Sequence, residues 1–251
     1  MNERQQKIQN ILNEKGEVKL PELELIFPDI SSMTLRRDLE KLEALGEVVR
    51  IRNGAKSITH LSALKEDLFS KRANENITEK KLIAEKACTL IIQGCSVFLD
   101  SGTTAVNLAR MLPDYKLNVI TAAPNVALEC AKKSDISVFM TGGQLSTDNL
   151  SLSGVNANDF LDNINIDIAF MAASGFSFKN FFTCGNFDEC RLKKRVIERA
   201  TKVVMLMDSS KCGKSLPFTF ALPDDIDVFV SDDKLDSEFS EAINKYGVEV
   251  F

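Results

Sequence analysis

Apolar residues recur at helical spacing through the first 45 positions of the chain, and then the pattern changes. Over 31–46, Leu35, Leu39, Leu42 and Leu45 fall on one face of a helix. Ser31 or Ser32 can cap its start with a hydroxyl, and Gly46 can end it in a left-handed conformation. The opposite face carries Arg36, Arg37 and Lys41. Upstream, 3–14 reads as a helix with Ile8, Ile11 and Leu12 inward and Gly16 as its stop. Residues 18–20 are a short extended piece, and Pro21 suits the first position of a second helix, 21–26, which breaks at 27–30. Downstream, 47–52 alternates as a strand, Asn53-Gly54 is a hairpin-turn signal, and 55–59 is the returning strand. Helix, short strand, helix, turn, helix, hairpin is the layout of a winged helix-turn-helix over 1–59.

Residues 60–80 are polar without a core face and read as a linker. From 81 the periodicity alternates between helix and strand. Helices are predicted at 81–92, 105–111, 124–132, 188–200 and 236–246, and strands at 97–100, 119–121, 137–140, 167–172, 203–207, 227–230 and 248–251. Continuous apolar strands between helices predict a mostly parallel sheet covered on both faces, so 81–251 is expected to be an α/β domain.

Composition narrows the function. A length of 251 residues suits a small domain plus a medium one. No apolar run reaches the roughly 18–20 residues of a membrane span, and the first residues lack a signal-peptide core, so a cytoplasmic protein without a membrane partner is expected. The net charge of −5 argues against general coating of nucleic acid. Its distribution says more: residues 1–60 balance 10 Lys/Arg against 10 Asp/Glu, yet 48–56 hold three cations and no acid. Six cysteines without a Cys-x-x-Cys pair, and a single distant His60, predict neither a zinc site nor any other metal or cofactor. Most should be small buried hydrophobes; a redox role for Cys184 and Cys190 is the minor alternative.

Two adjacent arginines in the first turns of a helix, beside hydroxyls, are what major-groove entry requires. Ser32, Thr34, Arg36 and Arg37 are therefore the predicted base- and backbone-reading residues, with Arg50, Arg52 and Lys56 on the wing against phosphate or the minor groove. The competing reading is a solvated charged face on a small interaction domain.

In the second half, strand after strand ends in small or hydroxylic residues: Asp100-Ser101-Gly102-Thr103-Thr104, Thr121, Gly142-Gly143, Ser174-Gly175, and Ser209-Ser210-Lys211. Ligands of open α/β sheets bind outside the carboxyl ends of the strands. The turn at 101–104 opens a helix, whose N–H groups and dipole favour an anion such as phosphate, and there is no Walker pattern for a nucleoside triphosphate. Glu189 and Lys193, four residues apart, share a helix face that follows Asn186. They read either as a surface ion pair or, with Asn186 and Lys211, as holders of a sugar phosphate.

These residues carry a resemblance. Arg4-x-x-Lys7-Ile8, Gly16-x-Val18, Leu23, Ser31-x-x-Thr34-Leu35-Arg36-Arg37-Asp38-Leu39-x-x-Leu42, Gly46 and Arg52-Asn53-Gly54-Ala55 resemble the DNA-binding domain of DeoR-type bacterial transcriptional regulators. Asp100 to Ala105, 118–121, Asn125-Val126-Ala127, 141–145, 151–154, Asn186-x-x-Glu189-x-x-x-Lys193 and 208–211 resemble that family's effector domain. The resemblance implies a second domain similar to ribose-5-phosphate isomerase and CoA transferases, operator DNA and a phosphorylated sugar as partners, and a homo-oligomer, dimer or tetramer. It further implies a regulator, most simply a repressor of a sugar-catabolism operon, rather than an enzyme. Leu35 stands where the family has Ile, and Arg52-Asn53-Gly54-Ala55 where His-Gly-Gly-Ala is frequent. Ala122 stands for a common Asn, and Ala172-Ala173-Ser174-Gly175 for Gly-Ala-Asp-Gly, so the effector edge differs from the usual one. The alternative is a sugar-phosphate isomerase with an added DNA-binding domain, which would need Asp100 or Glu189 as general base.

Overall fold

The computed structural model describes residues 1–57 and 69–251. Its contacts divide the chain into two units, Met1–Lys65 and Glu66–Phe251.

The first unit begins with α1 (Glu3–Lys15), capped by Asn2 and Gln5 acting reciprocally and stopped by Gly16 at φ 77°. Then follow β1 (Glu17–Lys19), α2 (Leu20–Ile26), α3 (Ser32–Ala44), β2 (Val48–Ile51) and β3 (Gly54–Ser57). The strands form an antiparallel sheet in the order β1-β3-β2. Ile8, Leu12, Leu23, Leu35, Leu39, Leu42 and Val48 close one small core. The leucine stripe of α3 is one turn shorter than its spacing suggested. The helix ends at Ala44, and Leu45, in the turn beyond it, is 59% exposed. The hairpin turn also divides its labour differently. Asn53 takes the left-handed position at φ 65°, whereas Gly54 is required by proximity: a Cβ there would lie 2.2 Å from the carbonyl oxygen of Val18 on β1. The end of the predicted returning strand, His60, and the first part of the predicted linker lie outside the described residues.

The described part of the second unit starts with α4 (Phe69–Ala73) and α5 (Ile77–Cys88). The expected linker over 60–80 does not hold for 69–80. Phe69 packs against the core, and Lys80 is 2% exposed, because Asn76 turns the chain at φ 50° and α5 begins four residues before the predicted start. The chain continues through β4 (Ser96–Leu99), α6 (Thr103–Met111), β5 (Leu117–Thr121), α7 (Pro124–Cys130) and β6 (Ile136–Met140). A hairpin, β7 (Gln144–Ser146) and β8 (Ser151–Ser153), precedes α8 (Val155–Leu161) and β9 (Ile166–Ala172). Then come β10 (Gly175–Ser177), β11 (Phe181–Cys184), α9 (Phe187–Arg199), β12 (Ala200–Leu206), a 3₁₀ turn at Ser209–Lys211 and β13 (Phe218–Ala221). The last elements are β14 (Val228–Val230), α10 (Ser237–Asn244) and β15 (Glu249–Val250).

Seven strands form one parallel sheet in the order β15-β14-β12-β9-β4-β5-β6. Alternation along each strand feeds two cores. Val97 and Leu99 of β4 join Ile168 and Phe170 of β9 on the face covered by α5, α6 and α7. Phe98, Ala169 and Met171 face the opposite core with Leu192 and Val196 of α9. A smaller antiparallel sheet, β10-β11-β13, closes that second face, with Phe176 and Phe182 in edge contact at 4.7 Å. From β4 the chain runs outward through β5 and β6, and then returns to lay β9 on the other side of β4. The sheet's topological switch point therefore lies between β4 and β9, where ligands of open α/β sheets bind.

Candidate functional site

On the first unit, α3 presents Arg36 and Arg37 to solvent, and Arg52 is exposed at the tip of the wing. Ser31 caps the helix, accepting from the Thr34 N–H at 3.3 Å. The other predicted contacts are already engaged within the unit. Ser32 donates to Glu24 at 2.5 Å, and the Thr34 hydroxyl lies 2.9 Å from that of Ser31. Arg50 bonds Glu40 and Glu43, each at 2.8 Å, and Lys56 lies 3.2 Å from Glu17. Backbone and side-chain hydrogen bonds from Arg50 hold the Glu43 carboxyl below its ordinary value. Arg36, Arg50 and Asn53 line a groove between α3 and the wing. Cations on one face of a rigid helix, flanked by a wing, suit the major groove and its adjoining phosphates.

On the second unit, a small polar pocket sits at the carboxyl ends of β4 and β9, at the switch point. Beneath its lining, buried Asp100 holds the floor together. One carboxylate oxygen accepts the Ser101 N–H at 2.8 Å; the other accepts the Ala172 N–H at 2.8 Å and is paired with Lys193. Lys193, reaching from α9, also donates to the Ala172 carbonyl at 2.9 Å, lies 3.1 Å from Glu189, and sits 5.0 Å above the Phe220 ring. Asn149 donates to the second oxygen of Glu189 at 2.6 Å. Burial pushes the Lys193 pKa down, but Asp100 and Glu189 together outweigh it and hold the ammonium above the ordinary lysine value. The Glu189–Lys193 pair is thus a buried clamp joining β4, β9 and α9.

Over this floor lie Ser101, Gly102, Thr103 and Thr104 at the start of α6, Ser174 beyond β9, and two cations, Arg72 and Lys211. Gly102 caps α6 at φ 113°, and a Cβ on it would come within 4.0 Å of the Arg72 guanidinium. A helix start with small hydroxylic residues and two flanking cations is a site for an oxyanion, and its hydroxyls suit a polyhydroxylated ligand.

Not every predicted residue reaches this pocket. The hydroxyl of Thr121 accepts the Ala123 N–H at 3.1 Å instead. Gly142 and Gly143 follow β6; Gly142 faces open space, and Gly143 lies against the β7–β8 hairpin, where a Cβ would lie 2.4 Å from the Ser153 carbonyl oxygen. Gly175 starts β10 against Lys214. Asn186 caps α9, accepting from Asp188 and Glu189 N–H groups at 2.8 and 3.1 Å. Two site residues escaped the sequence reading, Arg72 and Asn149. Arg72 lay inside the supposed linker; the one available signal was Asn76 as the cap of a helix starting at 77. Asn149, in the turn of a hairpin read as loop, carried none.

The remaining chemistry is that of the thiols. Cys184 and Cys190 are buried neighbours whose interaction lowers the pKa of Cys190 and raises that of Cys184, where burial adds to the rise. They also bond the carbonyls of Asn186 and Thr219, at 3.6 and 3.3 Å.

A winged helix-turn-helix followed in one chain by an α/β unit with a polar strand-end pocket is the organisation of a ligand-responsive transcriptional regulator. Residues 4–60 match the DeoR-like helix-turn-helix domain, and residues 75–233 the DeoR C terminal sensor domain. The chain belongs to the DeoR family of DNA-binding transcriptional regulators. It is similar to the HTH-type transcriptional regulator YulB of Bacillus subtilis (strain 168), at 37% identity over 99% of this chain and 95% of that one. It is likewise similar to the regulator GolR of Listeria innocua, at 33% identity over 99% and 97% of the two chains. It is 31% identical to the lactose phosphotransferase system repressor of Streptococcus mutans, over 96% of this chain and 98% of that one. A ribose 5-phosphate isomerase from Methanocaldococcus jannaschii aligns over 55% of each chain with a TM-score of 0.42 and 21% identity. Among the described residues no helix is long and apolar enough to cross a membrane.

Proposed function

We propose that this protein is a cytoplasmic repressor that binds operator DNA as a homo-oligomer and is controlled by a phosphorylated sugar in the switch-point pocket. The observation that carries this is the pairing of Arg72 and Lys211 with the helix start at Ser101–Thr104. Lys193 lines the same pocket but is held by Asp100 and Glu189, and Lys211 lies 4.0 Å from Asp208; the phosphate is assigned to Arg72 and Lys211 because both line the pocket beside the helix start. Ser101, Thr103, Thr104 and Ser174 then supply hydrogen bonds for sugar hydroxyls. Arg36 and Arg37 read bases, Arg52 contacts the backbone, and Arg50 and Lys56 join once their carboxylate partners release them. That a similar chain from Streptococcus mutans is a lactose phosphotransferase system repressor agrees with a sugar-linked role.

Engagement of Asp100 and Glu189 with one lysine weighs against either as the general base of an isomerase. The test is a DNA-mobility assay on the gene's own upstream region, titrated with a panel of pentose and hexose phosphates. One of them should weaken the complex at least tenfold, which requires about 1.4 kcal/mol of coupling. Indifference to the whole panel, or turnover of any member, would sink the proposal.

A further inference from the structure

We propose that Arg72 couples the pocket to the chain that enters from the DNA-binding unit: an anion seated at the start of α6 acts on α4 through this guanidinium. The inference rests on the anion-site reading above and adds to it the route by which occupancy leaves the pocket.

The first observation is place. α4 is the first described element of the second unit in chain order, and Arg72 is the residue of α4 that lines the pocket. The rest of the lining belongs to the sheet, to the starts of the helices that cover it, or to the turn after β12. Arg72 therefore joins a ligand on the rigid sheet to the segment next to the first unit.

The second observation is how α4 is held. Its described residues, Phe69–Ala73, include no fully buried side chain. Its ties come from outside. The Phe69 N–H donates to the Asp148 carbonyl at 2.8 Å, in the same hairpin turn whose Asn149 holds Glu189. The buried Lys80 ammonium donates to the carbonyls of Arg72 and Glu75, the latter at 2.5 Å. Asn76 donates to Asp208 at 3.1 Å and to Ser210 at 2.8 Å, in the turn that carries Lys211. The segment 69–76 is thus tied to both sides of the pocket, with Phe69 packed against the core.

The third observation is charge. The Arg72 guanidinium lies beside Gly102 at the start of α6, with the Ala172 side chain next to it. An anion there makes charge-assisted hydrogen bonds to the helix start and to the guanidinium, and those to the guanidinium draw α4 onto the sheet. A ligand shifts an equilibrium only through differential contacts, and Arg72 supplies one between the sheet and the entering chain.

Hydrogen exchange of the full chain tests this, with inorganic phosphate as probe against chloride of equal ionic strength. At ten times the phosphate Kd, exchange should slow by about tenfold in 101–106 and in 69–76 together. In Arg72→Met, which keeps the apolar stem, protection of 101–106 should survive at higher phosphate while that of 69–76 disappears. Arg72→Gln serves if the Met variant does not fold. No protection of 101–106 in the wild type would defeat the anion-site reading, and this inference with it. Protection of 101–106 with 69–76 unchanged would leave the site standing and overturn the coupling. So would a variant still protected in both segments, or one that loses protection in both, which would make Arg72 an ordinary ligand contact.

Discussion

Arg4 on α1 and Asp38 on α3 are joined by an ion pair across 2.5 Å, and Gln5 donates to the other oxygen of the same carboxylate at 2.8 Å. Asp38 is 3% exposed and adjoins Arg37 in the sequence, so this carboxylate fixes the rotation of the helix that presents the arginines. Asp38→Ala should lower the melting temperature of the N-terminal unit by about 4–8 °C. It should also weaken operator binding without altering the number of salt-sensitive contacts. Arg4→Ala should cost less, because Gln5 remains. Calorimetry and a salt titration of binding check both; an Asp38→Ala protein with wild-type operator affinity would remove the positioning role.

The cations of the first unit should separate by their partners. Arg37→Ala should weaken specific binding by about tenfold to a hundredfold and relax the base preference. Arg52→Ala should weaken all sequences alike and reduce the salt slope by about one. Arg50, tied to Glu40 and Glu43, should behave otherwise: Glu43→Gln should tighten non-specific binding by releasing it. Fluorescence anisotropy on operator and scrambled duplexes, at several salt concentrations, distinguishes the three.

Lys193 should be worth more to the fold than to the ligand. Lys193→Ala leaves Asp100 and Glu189 buried together without their cation, a change that costs about 3–5 kcal/mol. Lys193→Met fills the space but leaves the same uncompensated charge. Because the folded pKa is raised, the stabilisation is fully present below the unfolded lysine value and is lost as pH rises toward the folded one. The stability gap between wild type and Lys193→Met should therefore hold constant up to about pH 10 and narrow above it. Urea unfolding followed across pH 7–11.5 measures that gap.

Gly54→Ala should unfold the wing although its backbone conformation is ordinary, because the new methyl meets the Val18 carbonyl at 2.2 Å. Loss of the β1–β3 pairing should appear as rapid exchange at Val18 and Ala55, with α1 and α3 retained.

Most of the architecture is legible in the chain because period and punctuation agree. Leu35, Leu39 and Leu42 define α3, and Gly16, Pro21 and Asn53 mark its neighbours' limits. The strands β4, β9 and β12 are apolar on both faces, which only a covered parallel sheet accepts. The antiparallel pieces of the second unit were not legible. β7, β8, β10 and β11 are three or four residues long, and Ser151-Leu152-Ser153 offers no period to distinguish it from loop. The site was half legible for a related reason. Asp100 to Thr104 and Lys193 announce themselves at a strand end and on a helix face. Arg72 reaches the pocket, and Asn149 the Glu189 that lines it, through tertiary contacts between segments that look irregular, and Asn186 looked like a ligand because capping uses the same chemistry.

The strand order has a consequence for synthesis. β4 is paired on one side by β5, close in sequence, but on the other by β9, where Val97 meets Ile168. The sheet's centre, and with it the pocket, cannot close before about 170 residues have left the ribosome. The described contacts of the helix-turn-helix all lie within the first 57 residues. The growing chain therefore completes the DNA-binding fold well before the α/β sheet and its pocket.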